Sequence, residues 1–162
     1  MSEFSKPRRI TADDDLTGFE CGVPIMDGWV EKYSRMALKR HTAVAYGSFQ
    51  GGVLAGFYTL SAYAVDRASA HGWLARNSPD PVPALLLGML GVDIRYQTRH
   101  LGASLLRDAV IRASSAAEII GARALVVEPA NDSATGFYER YGFRHVSGSG
   151  MLFIPLEQPM PY

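Results

Sequence analysis

The chain has 162 residues, 48% hydrophobic and 20% charged, the make-up of one globular domain with a sizeable core. Its 16 basic and 16 acidic residues cancel, so no global field drives it toward nucleic acid or an anionic membrane. A lone cysteine, Cys21, excludes an internal disulfide, and no apolar run approaches the ~20 residues of a membrane span.

The N-terminus lacks the apolar centre of a secretory signal, and no Cys/His cluster has metal-ligand spacing. These features predict a cytoplasmic protein with no metal and no membrane contact. The charge is nevertheless uneven. Lys32 to His41 carries Lys32, Arg35, Lys39, Arg40 and His41 without an acid, while Asp13-Asp14-Asp15 concentrates the opposite sign.

In chain order, Pro24 to about Leu38 predicts a helix. Met26, Trp29, Val30, Tyr33, Met36 and Ala37 fall on one face at helical spacing, with the basic residues on the other. Ala43–Phe49 and Val53–Ser61 predict a hairpin turning at Gln50-Gly51-Gly52. Val65–Ala75 suggests a short helix, and the proline-rich stretch Asn77–Pro83 a loop. Ala84–Val92 is almost continuously apolar, as in a strand buried on both faces.

That strand stops at Asp93. A short basic loop, Ile94–His100, leads into a helix from Leu101 to about Ile120, with Leu105, Ala109, Ala113, Ala116 and Ile120 as its inner stripe. Gly121 ends it. Such a helix start presents unpaired N–H groups and partial positive charge, which suits an anion such as a pyrophosphate. Ala124–Glu128 predicts another buried strand. Asp132 or Ser133 then caps a short helix reaching Tyr141, Gly142 stops it, and Met151–Leu156 is a final strand. The pattern predicts a mixed α/β sheet flanked by helices.

Two blocks carry a family resemblance. Leu86–Arg107 forms the strand, loop and helix start. Asn131, Ala134, Phe137, Tyr138, Gly142 and Phe143 complete the pattern Asn-x-x-Ala-x-x-Phe-Tyr-x-x-x-Gly-Phe. Together they resemble the acyl-CoA core of GNAT-type N-acetyltransferases. The resemblance implies a single GNAT domain over residues 1–162, with acetyl-CoA as cosubstrate. It places the acyl-CoA arm along Leu90, Gly91 and Val92. It places the pyrophosphate at Arg95, Gln97, Thr98, Arg99, His100, Leu101, Gly102 and Ala103, with Asn131 and Phe137 beside the thiol. The family loop reads Gln/Arg-x-x-Gly-x-Gly/Ala. Gln97 and Gly102 match it, whereas Thr98 and His100 stand where glycines are usual. A histidine there offers its N–H, and a second donor when protonated; it can equally block the loop.

Acetyl transfer needs a donor for the oxyanion, met by a backbone N–H on Leu90-Gly91-Val92, and a proton for the departing thiolate. The resemblance assigns that proton to Tyr138. On its own Tyr138 reads as a core aromatic beside Phe137 and Tyr141; the strand-and-loop block favours catalysis. Glu128 and Asp93 are candidates for a base, or equally strand-end residues. His41, His71 and His145 have no partner motif and read as surface or loop residues.

Further pieces resemble one branch, the GNAT toxins of toxin–antitoxin pairs. They are Phe19–Gly22 before the Trp29 helix, Ala55–Ser61, Pro83–Asp93, Gly121–Val127 and Phe137–Phe143. Met89 departs from the arginine common in that branch. The branch implies acetylation of the α-amine of the amino acid on charged tRNA, which blocks translation. It also implies neutralisation by a ribbon-helix-helix antitoxin and allows a homodimer. On this view Lys32, Arg35, Lys39 and Arg40 grip tRNA phosphates, as basic side chains do without reading sequence. A solvated helix face is the alternative. Two other functions stay open: acetylation of a small-molecule or protein amine, and a CoA-binding or partner-binding module without turnover.

Overall fold

The computed structural model describes residues 3–70 and 72–156; His71 lies outside the described residues. The strands are β1 (Arg8–Arg9), β2 (Val44–Gln50), β3 (Val53–Val65), β4 (Val82–Val92), β5 (Ala124–Val127), β6 (Arg144–His145) and β7 (Leu152–Pro155). They form one sheet in the order β1-β2-β3-β4-β5-β7-β6. β4 and β5 run parallel, while β1–β2, β2–β3, β5–β7 and β6–β7 are antiparallel. The helices are α1 (Pro24–Lys32), α2 (Ser34–Lys39), α3 (Leu101–Ile120) and α4 (Asp132–Arg140). The mixed α/β expectation holds. Among the described residues no helix is long and apolar enough to cross a membrane. Two compact units divide the chain, one from the stretch up to Ser61 with Gly88–Ala109, the other from Ala62–Leu87 with the stretch from Val110 on.

In the first unit β2 and β3 form the expected hairpin, from Val44↔Leu60 to Gln50↔Val53. Its turn requires glycine: Gly51 and Gly52 have φ of +56° and +84°, the pair of left-handed residues that matches strand twist. The core beneath gathers Ile10, Leu16, Phe19, Val30, Leu54 and Phe57, with Trp29, Met26 and Met89 packed against it. Phe57 meets Phe19 edge-on at 5.4 Å and stacks on Trp29 at 6.3 Å.

The predicted first helix is two helices. Tyr33 leaves helical geometry (φ −119°, ψ −14°), and the buried Ser34 hydroxyl donates to the Val30 carbonyl at 2.6 Å. That back-bond competes with the helical ladder and rotates the next turn. Ser34 and Ala37 turn inward, whereas Tyr33 and Met36, expected inside, are exposed.

Arg8 clamps Asp14 with two bonds of 2.9 Å, and the Thr11 N–H adds a third at 2.8 Å. The Arg8 hydrogen bonds, outweighing burial, pull the Asp14 pKa down to about 2. A depressed carboxylate stabilises the fold above its unfolded value of about 4 and loses that contribution as pH falls through its folded value. The stability gap between wild type and Asp14→Asn is therefore expected to shrink between about pH 4 and pH 2. Urea titrations across that window measure it, and a gap independent of pH would contradict the clamp.

The second unit packs Val65, Ala70, Leu74, Val82, Ala84, Ala124, Val126, Val146 and Phe153 into its own core. The helix expected over Val65–Ala75 is absent. β3 runs on to Val65, Asp66 turns the chain by accepting from Ser69 and Ala70, and a single 3₁₀ turn follows at Gly72–Leu74. The loop expected through Pro83 ends earlier, because β4 starts at Val82. Pro83 is tolerated there because only its carbonyl is used, by the Arg123 N–H at 2.9 Å.

α3 matches its predicted bounds, and Gly121 (φ +77°) closes it with its N–H on Ala117 O. Leu105, Ala109 and Ala113 are fully buried, but Ile120 is 66% exposed. It rims an open groove with Pro79, Pro83 and Arg123, where no side chain covers it. α4 is capped by Asn131, not by Asp132 or Ser133, since the Asn131 Oδ1 accepts from the Ala134 N–H at 2.9 Å. β1 and β6, two residues each, had no counterpart among the expected elements.

Candidate cosubstrate loop and candidate acid

β4 explains where the loop begins. Its first half is buried and pairs with β5 from Ala84↔Ala124 to Leu87↔Val127. From Gly88 the burial lapses: Gly88 is exposed, and Met89, Leu90 and Val92 are half-buried. Gly91 stays buried in a close approach to Cys21. A Cβ there would lie 3.1 Å from the Cys21 Sγ and 3.2 Å from its Cβ. Burial, with Asp27 beside it, pushes the Cys21 thiol up to about 11, so this cysteine is packing rather than a nucleophile.

The strand ends because Asp93 caps a 3₁₀ turn, Ile94–Tyr96, by accepting the Arg95 N–H at 3.0 Å. The same carboxylate accepts from Arg95 Nε at 2.9 Å, Arg95 Nη2 at 3.1 Å and the Glu20 N–H at 3.2 Å. Burial disfavours its charge, but the Arg95 and Glu20 bonds outweigh burial and hold its pKa below the usual carboxylate range. Asp93 is thus an ionised anchor with its oxygens occupied, which corrects its candidacy as a base.

The loop side chains divide by task. Arg95 turns its guanidinium onto Asp93, and Gln97 Nε2 donates to Val92 O at 2.9 Å and Cys21 O at 3.1 Å. Both hold the loop rather than reach outward. Arg99 pairs with Glu3, and Phe4 packs edge-on against Tyr96 at 5.5 Å. Thr98 and His100 are exposed. The Ser104 N–H bonds back to His100 O at 3.2 Å, so the N–H groups of Leu101, Gly102 and Ala103 stand at the open end of α3. That end carries the positive pole of a 20-residue helix.

Thr98 and His100 have φ of +69° and +63°. The chain thus adopts the left-handed turns for which glycine is suited without having glycine. Left-handed backbone costs a side chain about 1–2 kcal/mol, offset on mutation by roughly 0.5–1 kcal/mol of glycine chain entropy. Thr98→Gly is therefore expected to raise stability by about 0.5–1 kcal/mol. His100→Gly should gain less, because histidine tolerates this region better than a β-branched residue. Urea midpoints test this; a destabilised Thr98→Gly would contradict the left-handed turn.

Lys32 ends α1, Arg35 and Lys39 lie on α2 and Arg40 follows it, all exposed. Arg35 also donates to the Asp14 carbonyl at 2.6 Å.

The other expected residues belong to the second unit. Asn131 is occupied as the α4 cap, and Phe137 is half-buried. Tyr138 is 5% exposed, its ring held edge-on by Phe137 at 5.3 Å and by Phe143 at 5.3 Å. Among the described residues its hydroxyl has no hydrogen-bond partner. Burial raises its pKa well above that of an ordinary phenol, so it stays protonated at neutral pH. Tyr141, in contrast, is 49% exposed and is not part of a core cluster. Glu128 is exposed just beyond β5. His41 and His145 are exposed, the latter 3.3 Å from Glu139.

Glu3 and Phe4 had no signal in the sequence, and Glu20 stood out only as part of the Phe19–Gly22 stretch, with no role assigned to it. Glu20 lies 73 residues from Asp93 and Glu3 lies 96 from Arg99, distances that only folding closes. Among the described residues no group of three or more His, Cys, Asp or Glu is placed to hold a metal ion.

The comparison with known families gives the class of the protein, an acyltransferase. The chain belongs to the acetyltransferase (GNAT) family, whose model matches residues 15–143. It is an acetyl-CoA-dependent N-acetyltransferase. It is 42% identical over 146 residues to the tRNA-acetylating toxin of Mycobacterium tuberculosis, covering 88% of this chain and 86% of that one. The probable toxin TacT of Sinorhizobium fredii is 24% identical over 154 residues, covering 88% and 85%. Among solved structures, AtaT complexed with acetyl-methionyl-tRNAfMet superposes with a TM-score of 0.85 at 26% identity, covering 94% of each chain. A tyrosine-to-phenylalanine variant of KacT gives a TM-score of 0.87 at 25% identity, covering 96% of each.

Proposed function

We propose that this protein is the toxin of a toxin–antitoxin pair and acetylates the α-amine of the amino acid on charged tRNA, blocking translation. The observation that carries this is the 42% identity to a tRNA-acetylating toxin, sustained over 88% of the chain. AtaT has been solved with acetyl-methionyl-tRNAfMet, and with the C-terminus of its antitoxin AtaR and acetyl-CoA. We extend both kinds of partner to this chain, with the antitoxin a ribbon-helix-helix protein, and a homodimer as the assembly.

In the proposed reaction the neutral amine attacks the thioester carbonyl carbon and the carbon–sulfur bond breaks. A backbone N–H of Leu90-Gly91-Val92 stabilises the oxyanion, and the Tyr138 hydroxyl protonates the departing thiolate. The proton shed by the new amide leaves through water and restores the phenol. The open amides of Leu101, Gly102 and Ala103 take the pyrophosphate. Two left-handed residues in place of glycine keep the loop's turns, which supports a working rather than a degraded loop.

Lys32, Arg35, Lys39 and Arg40 are proposed to face tRNA phosphates. Lys39→Ala with Arg40→Ala is expected to weaken tRNA binding and flatten its salt dependence by about one to two units of log–log slope. An unaltered slope would return that face to solvent.

Transfer of labelled acetyl from acetyl-CoA to total aminoacylated tRNA, with uncharged tRNA as control, tests the function. Label on charged tRNA alone supports it. Label absent from RNA, with acetyl-CoA still consumed, favours a small or protein amine, the reading to which the zero net charge is better suited.

A further inference from the structure

We propose that Asp93 is the positioning residue of the acetyl-CoA loop, acting through Arg95, Glu20 and the loop backbone without touching the cosubstrate. This rests on the assignment of the loop and the α3 N-terminus to the pyrophosphate.

Asp93 is 1% exposed and its carboxylate receives four hydrogen bonds, from the Arg95 backbone, the Arg95 guanidinium twice and the Glu20 backbone. Around it the same segments are tied again. The Ile94 N–H donates to Glu20 O at 2.8 Å, the Asp93 N–H to Ala55 O at 2.8 Å, and Gln97 bridges Val92 O and Cys21 O. The end of β4, the first loop turn and the 20–21 segment therefore behave as one rigid knot. Thr98 and His100 lie five and seven residues after Asp93, and both hold left-handed backbone that a non-glycine residue keeps only where its surroundings impose it. The knot is what the loop offers as that constraint.

Arg95 changes role accordingly. Its side chain is 53% exposed, yet its guanidinium is turned onto a buried carboxylate in a fork geometry. It contributes to cosubstrate affinity by holding Asp93, not by pairing with phosphate.

A purely stabilising Asp93 and a positioning Asp93 separate in ligand affinity. Asp93→Asn keeps the shape and removes the charge that orients Arg95. In the full chain it is expected to weaken acetyl-CoA binding, read by titration calorimetry, by about tenfold, with kcat at saturating acetyl-CoA within about twofold of wild type. Adding Thr98→Gly and His100→Gly, which remove the need for an imposed turn, is expected to recover most of that affinity. Arg95→Gln, at a largely exposed side chain, carries the same expectation at about threefold should Asp93→Asn fail to fold. An unchanged dissociation constant in the folded variants, or a loss the glycines do not recover, overturns the proposal. Gly102→Asp separates the underlying assignment, because a carboxylate among the α3 amides should abolish binding. If Gly102→Asp binds normally, the pyrophosphate assignment itself fails. If it abolishes binding while Asp93→Asn binds normally, only the positioning role fails.

Discussion

Tyr138→Phe is expected to lower turnover by about a hundredfold or more while acetyl-CoA binding stays within about twofold, the range for loss of a general acid. The substitution removes one oxygen and leaves the ring between Phe137 and Phe143, where its packing is made. The hydroxyl has no protein partner among the described residues, so its removal strands no donor or acceptor. The fold should therefore be indifferent and the chemistry should not. Burial also sets the sign of the pH dependence. With the phenol pKa raised, the acid stays protonated through the alkaline range in which an ordinary tyrosine would ionise. Wild-type kcat should consequently show no alkaline fall from Tyr138 up to about pH 10. Single-turnover rates for both proteins across pH test both statements. Equal turnover would remove Tyr138 from the acid role.

Phe57→Ala is expected to cost about 3–5 kcal/mol of stability, the scale for emptying an aromatic site in a close-packed core. Phe57 has no exposed surface and joins Phe19 to Trp29 beneath the β2–β3 hairpin. The neighbouring rings cannot collapse into the vacated space without losing their own contacts. Urea unfolding with an unchanged m-value would measure it. A loss below about 1 kcal/mol would mean that the cluster repacks around the gap.

Elements with a local cause were legible in the sequence. Gly51-Gly52 specifies a tight turn because two successive left-handed residues are easy only for glycine. α3 was legible at both ends, since the apolar run stops at Asp93 before it and Gly121 takes a left-handed turn after it. Elsewhere the local signal was misleading. Periodicity continued across Tyr33, but the helix breaks there, next to a buried serine hydroxyl bonded to the Val30 carbonyl. The sequence placed the α4 cap at Asp132 or Ser133, but the cap is the residue before them, Asn131, whose extended backbone lets its side chain accept from the Ala134 N–H. β1 and β6 are too short to carry a pattern; they exist as strands because longer neighbours offer them a ladder.

The candidate site divides the same way. That a basic loop joins a buried strand to a helix start between Asp93 and Leu101 is written in residue types, because hydrophobic runs and capping chemistry act over a few residues. How that loop is held is not. Asp93 looked as much like a base as a cap until folding brought Glu20 to it and turned Arg95 inward, which left it charged, buried and occupied. Arg99, which the resemblance assigned to the pyrophosphate, is paired with Glu3. The sequence alone determined the β2–β3 hairpin, β4, α3, β5, α4 and β7, the chain's family and the places where backbone direction must change, since these depend on neighbours along the chain. Only the tertiary structure decided which charges are engaged and which are open. That depends on partners brought together across 73 and 96 residues, and no local periodicity records such distances.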